Sequence, residues 1–238
     1  MAAAAAPTDV RTLTCTGRPR CLAREADTDE MKNGWLRSRF DALRALGLTD
    51  RTAAALLSHY TRETGWGRSE HNFALGNIRW TQGVGGPAFY QQSSDDPTPR
   101  PYRAFGSLDD GARAAVALAS SGRYAGAWGA LQGGAPETEW YARLMDAGWH
   151  PYSDASLDDY AGVLRSVRAR LGLAPSVQPT PLPYLRSLGP LQAPAPARGS
   201  VPILGAVAVV GVGAALADPG GERVAPGGAQ ELVRGGGE

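Results

Sequence analysis

The chain has 238 residues, with 24 lysines and arginines against 23 acids and a formal net charge of +1. That length houses one domain of ordinary size plus tails. A charge balance this close to neutral supplies no general attraction to nucleic acid or to an anionic membrane, so no nucleic-acid partner is expected.

Residues 1–30 mix alanine, threonine, arginine and acids without a sustained apolar period, and they read as a disordered or loosely docked arm. Residues 1–7 are alanine-rich but carry no basic residue ahead of an apolar run, which is not the layout of a secretory signal peptide. Cys15 and Cys21 lie in this arm with no neighbouring histidine and do not make a zinc set. They read as two reduced thiols, or as a local disulfide if the arm meets an oxidising compartment.

From Met31 the pattern becomes helical. Trp35, Leu36, Phe40, Leu43 and Leu46 share one side of a helix that Gly47 is placed to end. A second helix starts at Thr49 or Asp50, either a good N-cap, and repeats Ala53, Leu56, Leu57 and Tyr60 at three- and four-residue spacing before Gly65 and Gly67 break it. Residues 72–103 carry glycines, prolines and aromatics with no helical period, which predicts loops with a short hairpin.

Ser107 and Asp110 then form a capping-box-like pair ahead of an alanine-rich helix to Ser120. Shorter helices are expected over 124–131 and 137–147. In the last helix Ser156 and Asp159 give the N-terminal signal, Tyr160, Val163, Leu164, Val167 and Leu171 the stripe, and Gly172 the stop. The fold class is therefore α+β, a mainly helical domain over 31–173 with one small β-rich lobe.

Prolines 175, 179, 181, 183, 190, 194 and 196 mark 174–200 as a linker. Residues 201–217 then contain no charged side chain, and as a helix they would extend roughly 26 Å, close to the ~30 Å hydrocarbon core. This hydrophobic C-terminal segment reads as a transmembrane helix or as a helix docked on a partner; the tail over 218–238 is glycine-rich.

Glu63 is the carboxylate that the pattern places beside an apolar stripe, at the C-terminal end of a helix and three residues after Tyr60. Desolvation by Tyr60, Trp66 and Phe73, with the negative end of the helix dipole, would favour its protonated form. Glycosidic cleavage needs such an acid, because the leaving sugar oxygen must receive a proton. Flat aromatics such as Trp66, Trp80, Phe89, Tyr90 and Tyr102 suit stacking on sugar rings. His59, His71 and His150 have no metal-ligand spacing and no glycine pattern cradles a phosphate, so neither metal nor cofactor is expected.

The run Tyr60-Thr61-Arg62-Glu63-Thr64-Gly65-Trp66-Gly67-Arg68-Ser69, followed by Asn72-Phe73-Ala74-Leu75-Gly76-Asn77-Ile78, resembles the glucosaminidase family of peptidoglycan hydrolases, the flagellar and autolysin-type enzymes. That family runs Glu-Thr-Gly-Trp-Gly-Lys-Ser and then Asn-Leu-Phe-Gly-Ile-Lys; here Arg68 replaces the usual lysine. Tyr102-Arg103-Ala104-Phe105-Gly106-Ser107-Leu108 and Arg123-Tyr124 are similar to two further family stretches, so the resemblance covers roughly residues 33–172.

The resemblance implies a lysozyme-like fold, peptidoglycan glycan strands as substrate and Glu63 as general acid. It implies a second carboxylate from the β-lobe, where Asp95 or Asp96 stands, and substrate contacts from Trp66, Asn72, Phe73, Ile78, Trp80, Tyr90, Tyr102 and Tyr124. Where the family carries Gly-Tyr-Ala-Thr-Asp with a site tyrosine, this chain reads Gly148-Trp149-His150-Pro151-Tyr152, leaving Tyr152 as the candidate hydroxyl.

The expected activity is endo-β-N-acetylglucosaminidase, with muramidase or lytic transglycosylase as alternative bonds and a non-catalytic wall-binding or virion module as the alternative class. Arg186 and Arg198 before the apolar segment, against Asp218 and Glu222 beyond it, would keep the domain on the cytoplasmic side. A wall enzyme made there fits a phage or prophage origin, with 201–217 meeting a membrane or virion partner.

Overall fold

The computed structural model describes residues 6–16, 28–83, 85–92, 98–149 and 153–176. Among them lie six α-helices: α1 Asp29–Ala45, α2 Asp50–Thr64, α3 Leu108–Ala119, α4 Ala125–Gln132, α5 Glu137–Asp146 and α6 Asp154–Leu171, with a short 3-10 helix at Gly122–Tyr124. Two strands, β1 Ala88–Gln91 and β2 Arg100–Arg103, pair antiparallel with Phe89 opposite Tyr102. The domain is α+β, mainly helical with a small β-lobe.

The starts of four helices are fixed by local chemistry. Thr28, Thr49, Ser107 and Ser153 each accept a hydrogen bond from the backbone N–H three residues on, which satisfies one orphan donor of the first turn. Ser107 additionally donates to Asp110 Oδ2 at 2.7 Å. The last helix begins one turn before the expected start: Ser153 rather than Ser156 is the cap, and Ser156 supplies the N–H that it accepts. Gly172, at φ +71°, ends that helix as its sequence position predicts.

Helix α2 is the centre of the core. The sequence pattern gives it one apolar stripe, yet every residue from Thr52 to Thr61 is buried, because α1, α5 and α6 all pack against it. Small side chains permit that enclosure. Ser58 and Thr61 bond back to the carbonyls of Ala54 and Leu57, so burying them leaves no hydroxyl unsatisfied. Tyr160 of α6 donates to Ala55 O at 3.2 Å, and Tyr60 donates across to Ala115 O of α3 at 3.1 Å.

The arm over 6–16 is docked, not loose. Val10 makes a parallel bridge to Ala88, and Arg11 N and Ala88 N exchange bonds with Ala88 O and Asp9 O. Cys15 bridges to His71, and Cys15 is disulfide-bonded, Cys21 being the chain's other cysteine. That corrects the reading of two reduced thiols. Backbone groups of a β-lobe edge need partners, and the arm supplies them in a way that no apolar period signals.

A buried ion pair ties these parts together. Glu70, fully buried, accepts from Trp35 Nε1 at 3.0 Å, from Arg39 through Nε at 3.2 Å and through Nη2, and from Thr16 Oγ1 at 3.0 Å. One carboxylate thus joins the arm, α1 and the loop that follows α2. Glu137, also buried, likewise meets Arg168 at 3.0 Å and Arg51 at 3.7 Å.

No described helix is long and apolar enough to cross a membrane. Residues 201–217 and most of the linker over 174–200 lie outside the described residues, as does the tail.

Candidate active site

Helix α2 ends in a left-handed turn that presents Glu63. Gly65, Trp66 and Gly67 have φ of 55°, 63° and 81°, a run that only glycine adopts freely. Trp66 N–H closes a 6→1 bond to Thr61 O at 2.9 Å, and the Thr64 hydroxyl donates to Tyr60 O while accepting from Gly67 N. Gly67 is also a packing requirement, since a Cβ there would overlap the Trp35 indole.

The Glu63 side chain is 31% exposed and lies beside a cation: Arg62 Nη1 donates to Glu63 Oε1 at 3.3 Å. The same guanidinium donates through Nε to Asp159 Oδ2 of α6 at 2.7 Å. Tyr141 of α5 shares this neighbourhood. Burial pushes its phenol up to about 12; Arg62 acts against that rise, and the charges of Glu63 and Asp159 add to it. Burial also raises the Tyr60 phenol far above its usual value, with Glu63 acting in the same direction.

The surroundings of Glu63 therefore differ from the expected apolar pocket. Tyr60 is in place, but Arg62 brings a positive charge that favours the ionised carboxylate. Sequence spacing did not reveal this, because adjacent helical residues do not normally face each other. Arg62 contacts Glu63 from the adjacent position on α2, and only the packing of α6 on α2 supplies Asp159.

Beneath the acid lies an aromatic layer. His59, one turn before Glu63, is buried among Tyr60, Trp140, Tyr141 and Trp149, with ring centroids 4.7–6.2 Å apart. Tyr141 stacks flat on Tyr160 at 4.1 Å. Trp149, standing where the resemblance puts a tyrosine, packs edge-on against His59 and at 4.9 Å from Tyr124.

The other expected site residues have varied surroundings. Asn72 is buried and committed to the arm: Thr14 Oγ1 donates to its Oδ1 at 2.5 Å, and its Nδ2 donates to Thr12 O at 3.4 Å. Ile78 and Tyr124 lie in the core, and Phe73 is half-buried against it. Trp66 is half-buried between Lys32 of α1 and Arg170 of α6, whose charged groups sit 5.9 and 5.2 Å from its ring centroid.

Trp80, Tyr90 and Tyr102 are half-buried on the β-lobe, where Tyr102 stacks on Phe89 at 5.6 Å and carries the Arg79 guanidinium at 5.5 Å. Asp95, Asp96 and Tyr152 lie outside the described residues. The described residues contain no group of three or more His, Cys, Asp or Glu side chains able to hold a metal ion.

No family model and no curated protein matches the chain. Among solved structures, it is similar to the glycoside hydrolase domain of Salmonella typhimurium FlgJ, at 15% identity and a TM-score of 0.46 over 59% of this chain and 91% of that one. It is also similar to a peptidoglycan hydrolase from Sphingomonas sp. A1, at 22% identity and a TM-score of 0.45 over 62% of this chain and 94% of that one.

Proposed function

We propose that the domain hydrolyses β-1,4 bonds of the peptidoglycan glycan strand, on the N-acetylglucosamine side, with Glu63 as general acid. The observation that carries the reading is Glu63 itself. It closes α2 in the run Tyr60 to Ser69, it is partly open to solvent, and it is backed by the buried phenols of Tyr60 and Tyr141. A carboxyl group at an exposed helix end, on a wall of buried aromatics, can reach a substrate while its surroundings limit hydration.

In this reading Glu63 delivers its proton to the leaving glycosidic oxygen as the oxocarbenium-like transition state forms. Asp95 or Asp96 stabilises that charge or orients water, or the substrate's own acetamido group acts as nucleophile, a recognised exception to the paired-carboxylate scheme. Tyr152 supplies a hydroxyl in place of the family tyrosine. Trp80 and Tyr90, half-buried on the β-lobe, supply flat rings for sugars, and Tyr102, stacked on Phe89 and covered by Arg79, supports them. Delivery from a phage or prophage source, through residues 201–217, belongs to the same proposal.

The test uses the full chain, because residues 6–16 hold the β-lobe. Wild type and Glu63→Gln are incubated with purified peptidoglycan and the released reducing ends are identified by mass spectrometry. Release by wild type, with at least about a hundredfold less from the variant, is expected for loss of a general acid. N-acetylglucosamine at the new reducing end names the bond. Wall binding by both proteins with no release from either would replace catalysis by a binding module.

A further inference from the structure

Arg62 serves two anions at once. Its Nη1 donates to Glu63 Oε1 at 3.3 Å, and its Nε donates to Asp159 Oδ2 at the shorter distance of 2.7 Å. A proton donor is poorly served by a guanidinium at its side, since the cation favours the carboxylate and opposes reprotonation between turnovers. A second anion that holds the cation more closely offsets that effect.

We infer that Asp159 is a positioning residue for Glu63: by engaging Arg62 from α6 it restrains the pairing of that guanidinium with Glu63, and so keeps the Glu63 carboxyl able to hold a proton. The inference rests on the reading of Glu63 as the acid. Reaching 2.7 Å from Arg62 across two packed helices, Asp159 is placed by the fold and by no local motif.

The neighbouring groups are compatible with this role. Glu63 shares its face of α2 with His59 and Tyr60, four and three residues earlier. Tyr141 of α5 feels Arg62, Glu63 and Asp159, and its phenol and that of Tyr60 stay protonated through neutral pH. Burial works against the charge on Arg62, but Tyr141, Asp159 and Glu63 together outweigh it, so the guanidinium stays charged.

The sign of the effect separates this role from a structural one. Asp159→Asn releases Arg62 to Glu63, so the carboxyl loses its proton at lower pH and the alkaline limb of the activity profile moves toward acid. Arg62→Gln removes the cation and moves the same limb toward alkali. Each displacement should be on the order of half a pH unit, the size set by partly exposed pairs. Asp159→Glu should restore the wild-type profile, and in an Arg62→Gln background Asp159→Asn should move the limb less than it does alone.

The experiment records, for the full chain and each variant, the pH profile of peptidoglycan cleavage and the ¹³C titration of the Glu63 carboxyl. Opposite displacements in both measurements are the expected result. Superimposed curves, or displacements of the same sign for Asp159→Asn and Arg62→Gln, overturn the inference. Undiminished cleavage by Glu63→Gln instead overturns the reading of Glu63 as the acid, whatever the carboxyl titration shows.

Discussion

Glu70 is the carboxylate whose removal should cost most. Its side chain is 0% exposed and that of Arg39 only 4%, and it accepts from Arg39, from Trp35 and from Thr16. Glu70→Ala leaves the buried Arg39 guanidinium without its counter-ion, with only Ser38 Oγ still accepting from Nη1 at 3.0 Å, and leaves the Trp35 indole N–H without its acceptor. Breaking a buried pair from one side costs about 3–5 kcal/mol, against a total stability of about 5–15 kcal/mol for a typical domain.

For a domain of this size that is a fall in Tm of roughly 6–20 °C. The assay is thermal and urea unfolding of the full chain followed by far-ultraviolet circular dichroism. An Arg39→Met, Glu70→Met double variant should be considerably more stable than the two single losses summed, because neither charge is then stranded. The reasoning fails if Glu70→Ala lies within about 1 kcal/mol of wild type, or if the double variant costs the full sum of the singles. Because Thr16 bonds to Glu70, amides of the arm should also exchange faster in Glu70→Ala.

Gly76, at φ +78°, lies against Tyr60, and a Cβ there would overlap the phenol ring. Gly76→Ala should cost about 2–4 kcal/mol, read as a lower urea midpoint at unchanged m; a loss under about 0.5 kcal/mol would contradict it. The buried phenols predict an alkaline limit to stability. Burial raises Tyr141 to about 12 and lifts Tyr60 and Tyr160 well above the ordinary value of about 10. The unfolded chain therefore loses these protons first. Their contribution is complete below about pH 10; that of Tyr141 is lost as pH rises through about 12, and those of Tyr60 and Tyr160 at higher pH still. In a phenolate absorbance titration, these three of the eight tyrosines should ionise only as the helical signal disappears. Ionisation of all eight near pH 10 with the helices intact would refute the burial argument.

Much of the helical framework was legible because it is written locally. Thr49 and Ser107 as caps, Gly172 as a stop, and the stripe from Tyr160 to Leu171 are set by short-range hydrogen bonding and by a 3.6-residue period. The position of Glu63 was legible the same way, after Tyr60 at the end of α2. The small hairpin was expected from glycines, prolines and aromatics, and it lies within the predicted stretch.

What the pattern could not convey depends on which surfaces meet. The arm has no apolar period because it is held by backbone bonds to Ala88 and by Thr14 and Thr16, so composition made it resemble free chain. Asn72 reads as a groove residue by motif, but the arm takes both ends of its amide. Glu70 and Glu137 look like surface acids until Arg39, Arg51 and Arg168 converge on them from other helices. The Arg62–Asp159 contact joins residues 97 apart in sequence. By itself the sequence determined the helices, most of their ends and the place of Glu63 at the end of α2, because those follow from near neighbours, although the cap of α6 lies at Ser153 and not at Ser156. Only the tertiary structure decided which charges surround that acid, because ion pairing depends on distances that helix packing alone sets.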